Sequence, residues 1–307
     1  MAEVGEFEDL RPLLFSIAYR ILGSVAEAED AVQETWLRFA ASTTRADSTK
    51  AYLSATVTRI SIDVLRSARV RRERYLGPWF PEPLLADPYQ DPERAAELAD
   101  SVSTATLVLL ERLSPLERAV FVLREVFAFD FAQIAAAVER SEAACRQLAV
   151  RARRHVDAGR PRFTAEPGMR ARLATGFVDA LRNGDVDGLR ALLAADATMV
   201  TDGGGRAPQL SHPAVGADGT AKLLASVFPA MFRIGVTAAP RELNGEAGAI
   251  FSDRAGRVLC TMTLDVREGR VHAVRFLINP DKLGHLGPVA DAWALDREVR
   301  QERRAGR

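Results

Sequence analysis

Apolar residues recur at three- and four-residue spacing from Leu10 through Leu13, Leu14, Ile17, Ala18 and Ile21 to Leu22, which is the stripe of an amphipathic helix stopping at Gly23. Ser24 and Glu27 stand at capping-box spacing, and Ala28, Val32, Trp36 and Phe39 continue a second stripe to about Ala40. A polar stretch at residues 42–49 precedes a long helix expected over residues 51–74, apolar in its first half and cationic in its second. Pro78, Pro81, Pro83, Pro88 and Pro92 then remove backbone donors and disfavour helix at each preceding residue, so this segment reads as a linker between domains.

Beyond the linker, Ser114, Pro115 and Glu117 supply a cap, an N1 proline and a capping-box carboxylate. A short helix over residues 131–137, a turn at 138–140 and a helix capped by Ser141 and running to about Val156 read as a helix-turn-helix. From Pro167 the pattern changes. Helices are expected over 169–182, 186–194 and 219–231, and β-branched runs predict strands at 199–201, 234–238, 249–252, 258–266 and 271–278. The charged tail after Pro288 reads as a frayed helix. The expected fold is multidomain: two all-α domains at residues 1–76 and 104–160, a linker and connecting helix at 77–103, an α+β domain at 166–285, and a tail at 286–307.

Composition narrows the function classes. The chain has 307 residues, 48% hydrophobic content and zero formal net charge, enough for two or three buried cores. No run approaches the roughly 18–20 apolar residues of a membrane span, and the acidic start lacks the basic and apolar regions of a signal peptide, so a cytoplasmic protein is expected. Cys145 and Cys260 form no CxxC pair or His/Cys cluster, so neither a disulfide framework nor a metal or other cofactor is expected.

Within that neutral chain, guanidinium groups are concentrated at Arg59, Arg66, Arg69, Arg71, Arg72 and Arg74, and again from Arg146 through Arg151, Arg153 and Arg154 to Arg162. Clustered arginines displace condensed counterions and donate bidentate hydrogen bonds to phosphate, which points to nucleic acid; a solvated helix face is the plainer alternative. On the helix after Ser141, Cys145, Leu148, Ala149, Ala152 and Val156 fall on the core side, while Arg146, Gln147, Val150, Arg151 and Arg154 point away. That division suits a recognition helix, since Arg pairs with guanine and Gln with adenine. In the first domain the acidic set Glu27, Glu29, Asp30 and Glu34 precedes the cationic helix, giving one face suited to a protein and one to DNA. Trp36 suits either a protein interface or the core, and the polar loop at 42–49 beside Tyr52 suits an unstacked base.

This arrangement resembles the extracytoplasmic-function sigma factors of the sigma-70 family, which direct bacterial RNA polymerase to promoters. The run Ala28-Glu29-Asp30-Ala31-Val32-Gln33-Glu34-Thr35-Trp36-Leu37 is similar to the family's region 2.2. The resemblance implies that Asp30, Gln33, Glu34 and Trp36 bind core RNA polymerase. Residues 51–74, with Asp63-Val64-Leu65-Arg66, resemble the helix that melts and reads the minus-ten element, implying DNA contacts by Arg59, Asp63, Arg66, Arg69, Arg71 and Arg72. Arg59 departs from the pattern, since many members carry Asn there. Residues 113–154 resemble region 4, implying that Ser141, Arg146, Gln147, Arg151 and Arg154 read the minus-thirty-five element.

Within the family the chain is similar to the SigJ-like branch, in which a SnoaL-like cone domain follows region 4. Three motifs carry the likeness: Trp79-Phe80-Pro81-Glu82-Pro83, Asp202-Gly203-Gly204-Gly205-Arg206 and Asn279-Pro280-Asp281-Lys282-Leu283. The first usually has Leu where Phe80 stands, and the second usually ends in Lys. The likeness implies control of the sigma core in cis. Physically, Trp79 and Phe80 offer apolar anchors on a stiff backbone while Asp202 and Lys282 fix polar ends; alternatively, residues 202–205 are simply a turn and Asn279-Pro280 a strand terminator.

An enzyme is the main rival class, because such cones often enclose acid-base pockets. Asp202, His212, Asp253 and His272 qualify by residue type, yet their spacing makes no pair, and the expectation is a protein that is not an enzyme. A small-molecule ligand in the C-terminal domain, without turnover, is the more natural use of a pocket. The alternative reading of the whole chain is a helix-turn-helix regulator with a ligand-sensing or enzymatic C-terminal domain.

Overall fold

The structure, a computed structural model, describes residues 2–42, 48–72, 75–158 and 167–305. The chain divides into two compact units: residues 1–74 with 86–160, and residues 75–85 with 161–307. The two helical regions that the sequence separates thus share one unit, and the first part of the proline-rich linker belongs with the α+β domain.

In the first unit, α1 (Ala2–Leu22), α2 (Val25–Ala41) and α3 (Thr49–Arg72) pack on one another through the stripe read from sequence; Leu14, Ile17, Ile21, Leu53 and Val57 are fully buried. Gly23, at φ +71°, ends α1, and the Ser24 side chain caps α2 by accepting from the Glu27 amide at 3.1 Å. After a 3-10 turn at Pro92–Arg94 come α4 (Ala95–Val102), α5 (Thr104–Leu110), α6 (Pro115–Phe121), a π turn at Val122–Val126, α7 (Phe131–Val138) and α8 (Glu142–Asp157). Ser114 and Glu117 form a complete capping box on α6, as do Asp130 and Gln133 on α7.

One buried cation organises this unit. Arg20, fully buried on α1, donates to Ser101 Oγ at 2.8 Å and to the Leu98 carbonyl at 2.9 Å, pairs with Asp87 at 2.7 Å, and lies over the Phe127 ring. The Arg118 side chain closes the circuit by donating to the Arg20 carbonyl at 2.9 Å. Breaking a buried pair of this kind costs about 3–5 kcal/mol, because it strands a charge away from water.

The second unit holds α9 (Pro167–Asn183), α10 (Val186–Leu192), β1 (Leu193–Asp202), β2 (Ala214–Val215), α11 (Ala217–Arg233), β3 (Thr237–Leu243), β4 (Glu246–Ser252), β5 (Val258–Arg267), β6 (Arg270–Leu277) and α12 (Ala292–Ala305). The sheet order is β2-β1-β6-β5-β4-β3, with β1 parallel to β6 and the other pairs antiparallel. Phe177, Leu181, Leu224, Phe251, Met262 and Val274 form the core between helices and sheet.

Three expectations need correction. The strand expected at 234–238 lies instead at Thr237–Leu243 and contains Pro240; β3 is an edge strand, so the missing amide breaks no second ladder. The strand at 199–201 begins at Leu193, directly after α10. The tail is not frayed among the described residues: α12 buries Val299, and Arg233 and Arg254 pair with its Glu302 and Glu298 at 2.8 and 3.2 Å. The α+β unit therefore extends well past residue 285.

Candidate DNA-binding and linker-docking sites

The helix-turn-helix consists of α7 and α8, with Glu139 supplying the left-handed residue (φ +54°) that ends α7. Cys145, Leu148, Ala149, Ala152 and Val156 are buried, as their spacing requires, and Arg146, Gln147, Val150, Arg151 and Arg154 are exposed. Burial pushes the Cys145 thiol upward, reinforced by Glu142, so it is a packed thiol. Arg146 pairs with Glu142 at 2.5 Å and stacks 5.1 Å over the Phe131 ring, which Arg124 also covers at 4.9 Å. Arg151 pairs with Glu117 at 2.9 Å, and Arg153, which the sequence places in the cationic cluster but not among the implied DNA contacts, pairs with Glu125 at 2.6 Å. Ser141 Oγ accepts from the Ala144 amide at 3.3 Å, so its lone pair serves as a helix cap.

On α3, Asp63 and Arg66 are exposed and paired at 3.1 Å, while the side chains of Arg69, Arg71 and Arg72 lie outside the described residues, as do residues 43–47 of the polar loop. Arg59 is engaged elsewhere. Its Nε donates to the Ala137 carbonyl at 3.0 Å, its Nη2 to the Ala136 carbonyl at 2.7 Å, and it lies 3.4 Å from the Glu139 carboxylate. A guanidinium thus caps the C-terminal carbonyls of α7, where the helix dipole favours a cation.

On α2, Asp30 and Gln33 are exposed and Glu34 half-buried, and Leu37, missed in the sequence reading, extends the same i, i+3, i+4, i+7 stripe with 55% exposure. Trp36 points elsewhere: its ring packs 4.9 Å from Phe7 and 6.3 Å from Phe39.

In the second unit, the three short motifs converge. Asp202 is fully buried, and one of its carboxylate oxygens accepts from the Phe80 amide at 2.8 Å and from Lys282 Nζ at 2.8 Å, while the other accepts from the Tyr75 hydroxyl. Lys282 Nζ also donates to the Phe80 carbonyl at 2.7 Å and stands 4.2 Å from the Trp79 ring and 4.7 Å from the Tyr75 ring. Asn279 donates to the Tyr75 oxygen at 2.8 Å, and Arg206 pairs with Asp281 at 3.2 Å, so the second and third motifs are tied together. Burial and the Asp202 carboxylate push the Tyr75 phenol far above its ordinary value, leaving it a neutral donor.

The glycines of the second motif have a steric reason. Gly204 (φ +56°) and Gly205 (φ +70°) sit so close to the linker that a Cβ would come within 2.5 Å of the Tyr75 oxygen and 2.7 Å of Leu76. Phe80, Pro81, Glu82 and Pro83 are all buried, and further along Leu84 and Asn244 exchange hydrogen bonds at 2.7 and 3.0 Å while His285 Nε2 meets the Pro83 carbonyl at 2.6 Å. Gly203 bonds through its amide to Gln209, whose amide in turn reaches the Leu76 carbonyl at 3.4 Å.

A cavity of about 290 Å³ lies beside this dock, lined mainly by apolar side chains including Met199, Leu224, Phe228, Phe276 and, from α12, Leu295. Cys260 opens onto it with a thiol pushed up to about 12 by burial. Asp202, His212, Asp253 and His272 do not line it. Asp253 is held by Arg257 at 2.7 Å, and His272 lies 3.7 Å from the exposed Asp196.

Residues 7–71 match Sigma-70 region 2, and residues 104–156 match Sigma-70, region 4. The chain is 38% identical over 292 residues to the ECF RNA polymerase sigma factor SigJ of Mycobacterium tuberculosis, covering 91% of this chain and 93% of that protein. It is 36% identical over 186 residues to the probable ECF RNA polymerase sigma factor SigI of the same species, covering 60% of this chain and 64% of that one. The crystal structure of the M. tuberculosis extracytoplasmic function sigma factor SigJ aligns with a TM-score of 0.72 at 36% identity, over 94% of this chain and 100% of that one. Likeness that runs through both helical regions, the linker and the α+β domain means that the chain belongs to the extracytoplasmic-function sigma factors of the sigma-70 family.

Proposed function

We propose that this alternative sigma factor rests with its two promoter-binding regions held together, and that the C-terminal domain controls their separation through the linker. Core RNA polymerase is the protein partner, met by the stripe of Asp30, Gln33, Glu34 and Leu37, and promoter DNA is met by α3 and α8. The observation that carries the reading is the packing of α3 against α7, fastened by Arg59 on the Ala136 and Ala137 carbonyls. Promoter elements two helical turns apart are separated by roughly 70 Å of duplex, so helices in contact cannot serve both. The regions must part before they bind, and Arg59 must leave α7 before it reaches DNA.

The linker sets how far they can part. Residues 75–85 are docked on the α+β domain, and eleven such residues released and extended would add roughly 35–40 Å of reach. Trp79, Phe80, Pro81, Glu82 and Pro83 form the docked side, and Asp202, Gly203, Gly204, Gly205, Asn279, Pro280, Asp281 and Lys282 form the receiving side. The control operates in cis without catalysis. The acid-base candidates do not line the cavity, whose apolar walls suit a small ligand that is bound and released unchanged. The site of action is wherever polymerase and chromosome are, which is the cytoplasm.

Run-off transcription with purified core polymerase tests this directly. The full chain is compared with versions ending near residues 162 and 281, and the three are expected to differ in output at equal concentration. Equal output would remove the regulatory role of the C-terminal domain. DNA binding by the isolated chain with no affinity for core polymerase would favour a conventional helix-turn-helix regulator instead.

A further inference from the structure

We infer that Val150 reads the methyl group of a thymine in the upstream promoter element, and that the base-reading stripe of α8 is Gln147, Val150 and Arg154 while the neighbouring arginines position the helix. The inference rests on the sigma-factor reading of α7 and α8. It starts from geometry. Ala143, Gln147, Val150 and Arg154 follow one another at i, i+4, i+7 and i+11, a stripe directly opposite the buried line of Cys145, Leu148, Ala152 and Val156. A helix seated by that buried side in a helix-turn-helix presents this outward stripe to the floor of the major groove.

The other cations are placed differently. Arg146, Arg151 and Arg153 lie to the sides of the stripe, and each is tied back to its own domain, through Glu142 and the Phe131 ring, through Glu117, and through Glu125. Side chains on the flanks of a groove-bound helix face the phosphate walls, where charge fixes register and carries no sequence information. The Gln147 and Arg154 side chains, by contrast, make no hydrogen bond or ion pair among the described residues. They retain their full donor sets for base edges.

Val150 is the apolar member of that stripe and is 50% exposed. Single exposed apolar residues are common, but this one occupies the middle of the outward line of a recognition helix, with a free Gln three residues before it and a free Arg four after. A β-branched residue is a weak helix former, and with half its surface in solvent Val150 contributes little to the core, so helix stability does not account for it. Thymine is the base that presents a methyl group in the major groove, and two branched methyls are a fitting surface for it.

The test uses holoenzyme assembled from the full chain and core polymerase on a promoter recovered by that holoenzyme from a random library. Each thymine of the upstream element is replaced in turn by deoxyuridine, which deletes only the methyl. For the wild-type chain, one replacement is expected to weaken promoter binding about fourfold, the value of one apolar carbon removed from contact. Val150→Ala is expected to bind the thymine promoter about fourfold more weakly and to be indifferent to that same replacement, with unchanged melting temperature. Dependence on the upstream element without methyl sensitivity at any thymine would overturn the role of Val150 alone, as would a Val150→Ala protein that keeps the wild-type sensitivity. A wild-type holoenzyme indifferent to the whole upstream element would overturn the assignment of α8 as its reader, and this inference with it.

Discussion

Lys282 and Asp202, eighty residues apart in sequence, meet at 2.8 Å inside the α+β domain, and the same ammonium donates to the Phe80 carbonyl of the linker at 2.7 Å. One cation therefore neutralises a buried carboxylate and fastens the docked linker. Replacing it with Met keeps most of the side-chain volume but strands the Asp202 charge, which costs on the order of 3–5 kcal/mol before relaxation. Lys282→Met is expected to speed amide exchange across residues 75–85 and to raise run-off transcription, because the longer free tether favours the parted form. Hydrogen exchange read by mass spectrometry checks the first effect; unchanged exchange in the linker would separate the ion pair from docking.

Arg59 gives a second prediction, on the closed form of the helical unit. Arg59→Ala removes three donor-acceptor and ionic contacts to the end of α7 without touching the core, since the side chain is 43% exposed. Only about 1–2 kcal/mol is expected from them, given that exposure. That is enough to change the closed fraction severalfold. Fluorophores on cysteines placed at the exposed positions Ser67 and Ala143 would report it as lower transfer efficiency in the variant, and equal efficiency would show that Arg59 does not hold α3 and α7 together.

Much of this was legible beforehand, for a physical reason. Helix periodicity and caps such as Ser24, Ser114 and Ser141 are local, and the structure places those helices within a few residues of expectation. In the sequence, residues 202–205 suit a turn and a dock equally, because a run of glycines advertises backbone freedom and not what approaches it. Only the fold reveals that Tyr75 and Leu76 occupy the space a Cβ would fill. Tyr75 itself gives no signal, because it directly follows the charged helix pattern expected over residues 51–74. The likeness to the minus-ten helix and the cationic neighbourhood imply a DNA contact for Arg59, whereas its engagement with α7 depends on a pairing between elements far apart in sequence, which no spacing rule encodes. The tail's charge hides its packing: Leu295 and Val299 are too sparse for a strong stripe, yet they line the cavity.

The cysteines supply a third prediction. Cys145 and Cys260 are both buried, and burial moves both thiols upward, that of Cys260 to about 12. Thiolate is the reactive form, so at neutral pH neither should react. Native protein exposed to N-ethylmaleimide is expected to gain no mass over an hour, and denatured protein to gain two adducts. Rapid native labelling of Cys260 would mean that α12 opens the cavity readily.

Acid should expose the role of the buried carboxylate on β5. Asp265 is opposed by burial, but hydrogen bonds from Arg267 at 2.7 Å and the charge of Arg275 at 3.3 Å hold its carboxyl below the usual range. A group whose folded value is depressed contributes stability above its unfolded value, near 3.9, and loses it as pH falls through the folded value. Asp265→Asn is therefore expected to destabilise the α+β unit by about 2 kcal/mol at pH 7, a figure reduced from the buried-pair range because Arg267 is partly solvated. As the pH drops below about 4, the gap between wild type and variant should shrink, since a protonated Asp265 no longer out-performs a neutral amide. Urea unfolding at a series of pH values, following hydrogen exchange of the β5 and β6 amides by mass spectrometry, measures that gap; a difference constant down to pH 2.5 would mean that shape and not charge makes Asp265 fit.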